Sequence, residues 1–198
     1  MGSRVALGLC LVIVGCSSAS PAPPAAQPEV PRGLPAAAFG FELGATLDDG
    51  ERYCRRLEHT WSVTSSSGGG PIGHCTGSAT ADAPAGIVSL RYCGGRACLI
   101  SLGFVASDAD AELVFSQFAS EVERGFGPPL ERSRGSLDCL SSVREQSSWS
   151  GVSRGDCQIA REWELAQGRI GLMATASSDA RVLITLSYWD ISRSPRPD

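Results

Sequence analysis

The chain has 198 residues, of which 42% are hydrophobic, and a formal net charge of −4 at pH 7. This length and composition fit one globular domain with a sizeable core. The 17 basic residues, set against 21 acidic ones, form no basic stripe, so nucleic acid is not expected as a partner.

The N-terminal segment has the features of a bacterial export signal. A positive charge at Arg4 precedes an apolar run over residues 5–15, which at about 11 residues is far shorter than the roughly 20 that span a bilayer. The pattern therefore predicts a signal peptide at residues 1–15 that is removed on export. An ordinary secretory signal cut after Ala19 or Ser20 is the alternative.

The run Ile13-Val14-Gly15-Cys16 resembles the lipobox of bacterial lipoproteins. The resemblance implies diacylation of the Cys16 thiol and cleavage before it, which attaches such proteins to a membrane through lipid. In this class an Asp after the lipidated cysteine favours the inner membrane, whereas this chain has Ser17. We therefore expect a lipid-anchored protein of the cell envelope, with the outer membrane favoured over the inner membrane.

Composition divides the mature chain into three parts. Residues 16–37 hold the lipidated cysteine and a stretch rich in Pro, Ala and Ser with little to bury, which is typical of an extended tether. Residues 38–191 are predicted to form the single folded domain. Residues 192–198 are predicted to be a disordered tail.

The remaining cysteines are Cys54, Cys75, Cys93, Cys98, Cys139 and Cys157. An even number in an oxidising compartment predicts three disulfides, with several possible connectivities. A bridge from Cys93 to Cys98 would close a hairpin turn, but alternation in the flanking strands sets Cys98 opposite Tyr92, so this bridge requires a wider loop or a β-bulge. The pairs Cys54–Cys75 and Cys139–Cys157 are expected only from their proximity in sequence.

Two segments carry helical signals. Thr46 stands where an N-cap would precede an acidic first turn, which predicts a helix over residues 47–58. Ser107 or Asp108 caps a second predicted helix over residues 109–125, where apolar residues recur at helical spacing.

Seven segments alternate like strands: residues 61–64, 72–76, 86–93, 98–105, 159–166, 169–176 and 181–189. Short connections between them make the sheet antiparallel. The predicted fold class is therefore α+β, an antiparallel sheet with two helices packed on one face and stabilised by disulfides.

The order of helix, strands, helix and strands carries a resemblance to known proteins. With Gly44-Ala45-Thr46 opening the first helix and Gly125-Phe126-Gly127-Pro128 ending the second, it resembles the small α+β modules of outer-membrane-assembly lipoproteins and of β-lactamase inhibitor protein. The resemblance implies a protein-binding scaffold rather than an active site.

One motif points instead to an enzyme. Gly151-Val152-Ser153-Arg154-Gly155 matches the nucleophile elbow of serine hydrolases, which needs a strand before the serine, a helix after it and a nearby histidine. Here a strand is predicted after the serine, and both histidines, His59 and His74, precede it. A serine hydrolase acting through Ser153 is therefore kept only as an alternative. The histidines could bind metal only beside a reduced Cys75, so no metal site and no cofactor are predicted.

The sheet face opposite the helices is the predicted place of function. Alternation puts Met173, Leu183 and Trp189 on that face, and large apolar groups on an open face favour contact with a partner. Trp149, in a serine-rich segment, is predicted as a further contact residue. The expected function is a non-enzymatic envelope lipoprotein whose tethered domain binds another envelope protein. The alternative is an inhibitor or immunity-type module.

Overall fold

The computed structural model describes residues 33–65, 70–77 and 86–193. The predicted signal peptide at residues 1–15, the lipidation site Cys16 and most of the tether lie outside these ranges. So do residues 194–198 of the predicted tail.

The folded domain extends beyond both of its predicted boundaries. Leu34 packs against the buried core, and the first strand begins at Ala37, so the domain includes residues that the sequence assigned to the tether. At the other end, the Ser192 amide and the Arg193 guanidinium donate hydrogen bonds to the Asp190 carboxylate. These bonds continue the ordered chain past residue 191.

Eleven strands and four α-helices make up the described chain. The strands are β1 (Ala37–Ala38), β2 (Phe41–Glu42), β3 (Thr60–Ser65), β4 (Pro71–Thr76), β5 (Gly86–Cys93), β6 (Arg96–Ala106), β7 (Leu130–Glu131), β8 (Arg134–Gly135), β9 (Cys157–Leu165), β10 (Gly168–Ala176) and β11 (Val182–Asp190). The helices are α1 (Leu47–Arg56), α2 (Asp108–Phe126), α3 (Leu137–Gln146) and α4 (Ser150–Arg154), and a 3₁₀ turn follows at Ile191–Arg193.

Nine strands form one antiparallel sheet in the order β3-β4-β5-β6-β11-β10-β9-β7, with β8 also paired to β9. The first two strands, β1 and β2, form a separate hairpin. At the centre of the sheet, β6 pairs with β11 from Leu99–Trp189 to Ala106–Val182. The predicted antiparallel α+β fold class is confirmed.

Helix α1 is capped by side chains close in sequence. The Thr46 hydroxyl accepts a hydrogen bond from the Asp49 amide at 3.3 Å, and the Asp49 carboxylate accepts one from the Thr46 amide at 3.1 Å, which is a capping box. The helix ends at Arg56, short of the predicted residue 58, because Leu57 is the C-cap and Glu58 has a φ of 58°.

Helix α2 covers the centre of the sheet. The Ser107 hydroxyl caps it by accepting a hydrogen bond from the Asp110 amide at 3.2 Å, and Gly127 ends it with a φ of 80°. Its buried residues follow helical spacing: Ala111, Phe115, Ala119 and Val122. This stripe is the apolar face expected of a helix on a sheet.

Helices α3 and α4 correct the prediction that only two helices cover the sheet. The Ser136 hydroxyl caps α3 by accepting a hydrogen bond from the Cys139 amide at 3.3 Å, and Ser147 ends it in the left-handed conformation. Gly155, with a φ of 85°, ends α4. The segment is too polar for its periodicity to be evident, but its caps and the bridge from Cys139 to Cys157 hold it on the sheet.

All four helices pack on the same face of the sheet. Opposed residues in an antiparallel ladder share a face, and the register lines up Leu90, Ile100, Tyr188 and Ile170. The two buried clusters that contain these residues also contain Cys54 of α1, Phe115 of α2, Cys139 of α3 and Val152 of α4. We call this side the helix face and the opposite side the open face.

The three disulfides pair Cys54 with Cys75, Cys93 with Cys98, and Cys139 with Cys157. All three predicted pairs are confirmed. The first bridge attaches α1 to β4, and the third attaches α3 to the start of β9, so each fastens a helix to the sheet.

The Cys93–Cys98 bridge depends on a β-bulge in the hairpin of β5 and β6. Gly94 and Gly95 form its tight turn with φ values of 58° and 77°, as a type I′ turn requires. Arg91 lies opposite Leu99, whereas Tyr92 lies opposite Ala97, so Cys98 is the extra residue. This is the register shift that the sequence required.

Candidate functional site

A row of small side chains crosses the open face of the sheet. Cross-strand pairing lines up Ser62, His74, Ser89, Ser101, Ser187 and Gly171 from β3 to β10. The Ser101 and Ser187 hydroxyl oxygens lie 2.8 Å apart. His74 Nδ1 lies 2.9 Å from the Ser89 hydroxyl, and His74 Nε2 lies 3.0 Å from the Thr64 hydroxyl. We call this set the serine row; its short side chains form the floor of a depression.

Larger side chains stand on one side of the serine row. Pairing places Arg91, Leu99, Trp189 and Arg169 side by side, and we call them the tryptophan row. The Arg169 guanidinium carbon lies 4.0 Å from the centre of the Trp189 ring, which is a cation–π contact. The row therefore combines apolar surface with positive charge.

A second row, which mixes large and small side chains, lies on the other side. Pairing places Ile87, Gly103, Thr185, Met173 and Ala160 side by side, and we call them the methionine row. Met173 is 36% exposed and Ile87 is 45% exposed. The Gln158 amide donates a hydrogen bond to the Met173 sulfur.

The tryptophan and methionine rows enclose a groove of about 350 Å³ on the second half of the open face. Gly171 and Ser187 of the serine row line its base, and Leu99, Trp189 and Met173 line its sides. Its charged lining consists of Arg132, Arg134, Arg161, Arg169 and Glu162. Arg132, Arg134 and Arg169 lie on the open face and give this groove a local positive charge, although the whole chain carries a net charge of −4.

Acidic neighbours compensate part of that positive charge. On the open face, Arg132 lies 3.6 Å from both Glu162 and Glu164. Arg161 pairs with Leu172, and its side chain lies on the helix face, 2.9 Å from Glu131 and 5.6 Å from the centre of the Phe115 ring. These pairs are largely exposed, so each contributes little to stability.

Three of the four predicted contact residues lie on the open face. Trp189 is half-buried in the tryptophan row, and Met173 belongs to the methionine row. Leu183 lies further along β11, opposite Val105 and Thr175, and is partly exposed. Alternation along β10 and β11 places all three correctly.

Trp149 corrects the fourth prediction, because it is only 4% exposed. Its ring centre lies 5.4 Å from that of Phe115 on α2, inside the core of the helix face. The bridge from Cys139 holds α3 and α4 against the sheet, with Gly151 packed on the Cys139 sulfur, and this turns Trp149 inward. A serine-rich composition had indicated a loop at the surface.

Ser153, the serine of the nucleophile-elbow match, lies within α4 and is 7% exposed. Its hydroxyl lies 3.2 Å from an Asp108 carboxylate oxygen and 3.1 Å from the Ser150 carbonyl oxygen, and both can accept its proton in a hydrogen bond. His59 and His74 lie beside and within the β3–β4 hairpin, at the opposite end of the sheet from β9 and β10, on which α4 packs. The strand, turn and helix of a nucleophile elbow are not formed here.

A second cleft, of about 790 Å³, lies between β2, the start of α1 and Arg193. Sequence reasoning missed it, because the hairpin of β1 and β2 is too short to show strand periodicity. Hydrogen bonds from the Thr46 hydroxyl and amide hold the pKa of Asp49, on the wall of this cleft, below its usual value. Gly40 and Gly44, with φ values of 81° and 87°, are the sequence signal that could have indicated the turn.

Residues 33–65, 70–77 and 86–193 contain no group of three His, Cys, Asp or Glu side chains placed to hold a metal ion. Within the same described ranges, none of the helices has the length and apolar character needed to cross a bilayer.

No protein-family model, no curated protein sequence and no solved structure matches this chain.

Proposed function

We propose that the chain is an envelope lipoprotein that is anchored through Cys16 and binds another protein with the open face of its sheet. The observation that carries this proposal is the groove of about 350 Å³ between the tryptophan and methionine rows. Its apolar surface comes from Leu99, Met173 and Trp189, with serine and glycine between them. Protein contacts of high affinity commonly centre on an aromatic or arginine side chain beside such a depression.

The charge of the groove favours a particular partner chemistry. On the open face, Arg132, Arg134 and Arg169 line it together with Glu162, so a partner segment with Asp or Glu beside an apolar side chain is complementary. The carboxylate would lie near Arg169 or Arg134, and the apolar group would cover Leu99 and Met173. Arg169 already lies over the Trp189 ring, which holds its guanidinium at the rim of the groove.

The surroundings of Ser153 support binding over hydrolysis. Its hydroxyl neighbours a carboxylate and a backbone carbonyl, with no imidazole among its hydrogen-bond partners in the described residues. Its low exposure in α4 also limits the approach of a substrate.

The anchor is tested by metabolic labelling with palmitate. Replacing Cys16 with Ala is expected to abolish labelling, because the precursor is then not lipidated. Persistent label in Cys16→Ala would overturn the anchor while leaving the binding face to be judged separately.

Binding is tested by capture of proteins from native membranes with the full-length lipidated chain. Trp189→Ala and Arg169→Glu are expected to lower the amount of partner captured, because they remove the aromatic surface and reverse the charge at the groove. Leu113→Ala is the matched control, since Leu113 is 61% exposed on α2 and lies away from the open face. Equal capture by all three variants would falsify the proposed binding face.

A further inference from the structure

The two edges of the sheet are built differently. The outer side of β9 is covered by β7 and β8, which have only two residues each. Between them the Arg132 amide donates to the Ala160 carbonyl at 2.9 Å, and the Ser133 hydroxyl accepts a hydrogen bond from the Ala160 amide at 3.2 Å. Charged residues Glu131, Arg132 and Arg134 line this edge. It is therefore protected against pairing with another strand.

The other edge is β3, and it has none of these protections. This strand is six residues long, pairs with β4 on its inner side, and has no strand on its outer side among the described residues. Its sequence, Thr-Trp-Ser-Val-Thr-Ser, contains no charge, no proline and no bulge. Thr and Val favour extended structure, and no strand of the described residues pairs with the backbone groups on the outer side of β3.

We propose that β3 pairs with β3 of a second copy of this chain, in an antiparallel dimer centred on Ser62. Paired residues must share a face, so an antiparallel two-fold pairing of this strand centres on either Ser62 or Val63. Centring on Ser62 places Val63 beside Trp61 of the second copy, and Thr60 beside Thr64 of the second copy. Aromatic pairs with β-branched residues and Thr–Thr pairs are among the favourable cross-strand contacts.

Side-chain exposure favours a second copy as the occupant of this edge. Val63 is 45% exposed on the helix face, and Trp61 beside it is only half-buried where it lies over Gly73. Pairing in the Ser62-centred register covers Val63 and Trp61 of both copies. Because the strand is uncharged, the pairing brings no like charges together.

Disulfide capture in the envelope tests the dimer. A Ser62→Cys variant of the full-length chain should form a reducible dimer, because opposed residues of an antiparallel pair have Cβ atoms within roughly 5.5 Å. Leu113→Cys, exposed on α2, is the control and should stay monomeric. A Ser62→Cys protein that stays monomeric, or that becomes linked to a different protein, overturns the proposal.

A second variant keeps the test independent of cysteine chemistry. Val63→Lys places two charges beside the shared strand pair and should weaken self-association about tenfold or more in sedimentation equilibrium. Trp189→Ala, on the open face, should leave self-association unchanged. If Trp189→Ala no longer self-associates and Val63→Lys still does, the contact belongs to the open face and the edge pairing is overturned.

Discussion

The two faces of the sheet differ in the size of the side chains that the same strands carry. On the helix face, Leu90, Ile100, Ile170, Leu172 and Ile184 are all fully buried. On the open face, their neighbours in sequence include Ser89, Ser101 and Gly171. The helix face is filled because helices cover it. The open face has small side chains along the serine row and larger ones, such as Trp189 and Met173, on either side of it.

The prediction with the largest expected effect compares two tryptophans, one on each face of the sheet. Trp149→Ala removes a ring that is 4% exposed in the core of the helix face and should cost about 3 to 5 kcal/mol of unfolding free energy. Trp189→Ala, on the open face, should cost within about 1 kcal/mol. Urea unfolding measures both. Equal losses would mean that the open face is part of the stabilising core.

A second test uses neighbours in one strand. Leu172 is fully buried and Met173 is 36% exposed, although they are adjacent in β10. Leu172→Ala should lower the unfolding free energy by about 2 to 5 kcal/mol, and Met173→Ala by less than about 1 kcal/mol. Thermal melts of the two variants provide the comparison. A larger loss in Met173→Ala than in Leu172→Ala would mean that the face carrying Met173 is the buried one.

A buried hydroxyl on the helix face offers a smaller test. Tyr92 is 1% exposed, and its hydroxyl has no hydrogen-bond partner in the described residues. Tyr92→Phe removes an unsatisfied polar group, so stability at neutral pH should be unchanged or higher by about 1 kcal/mol. On the open face, by contrast, Ser187→Ala removes a hydroxyl that is paired with Ser101 and should not stabilise the fold.

The same tyrosine has an expected pH dependence. Burial, with a smaller effect of Asp49, raises the pKa of Tyr92 from 10.0 to about 12. Its neutral form is therefore favoured in the folded protein, and this contribution is complete below about pH 10 and is lost as pH rises towards 12. Tyr92→Phe should flatten the fall in unfolding free energy over this range. Burial also raises the pKa of Tyr188. Tyr188 should therefore preserve part of the pH dependence of the unfolding free energy in Tyr92→Phe.

The smallest expected effect concerns the floor of the groove. A Cβ added at Gly171 meets no atom within 4 Å, so Gly171→Thr should raise the unfolding free energy by about 0.5 kcal/mol through better strand propensity. The same side chain narrows the groove and should reduce partner capture. Higher stability with unchanged capture would show that the partner does not enter the groove.

Periodicity explains why most of the fold could be predicted from the sequence. The long strands and both α1 and α2 alternate or repeat over enough residues to be recognised. Matching two strand faces predicted a wider loop or a bulge near Cys98, and the structure has the bulge. Short or polar elements carry too little pattern, which is why β7, β8, α3 and α4 were missed. The burial of Trp149 depends on how α3 and α4 fold back, and no local signal records that.

The candidate site was predicted only in part for a related reason. Alternation places Met173 and Trp189 on one face whatever the strand order is. The serine row and the arginine-lined groove depend on which strands are neighbours, and the pairing of β6 with β11 is not implied by short connections. The groove from which we propose the partner chemistry therefore depends on the order of the strands in the sheet.

The pairing of β6 with β11 also determines when the two parts of the sheet can join during folding. Ser101 and Ser187, whose hydroxyls meet at its centre, are 86 positions apart in sequence. Until β11 is in place, β6 and β10 each keep an unpaired edge, and the two parts of the sheet remain separate. Contacts this distant in sequence slow folding and lengthen the exposure of open edges. A chain that ends before Val182 should therefore aggregate instead of folding to a smaller domain.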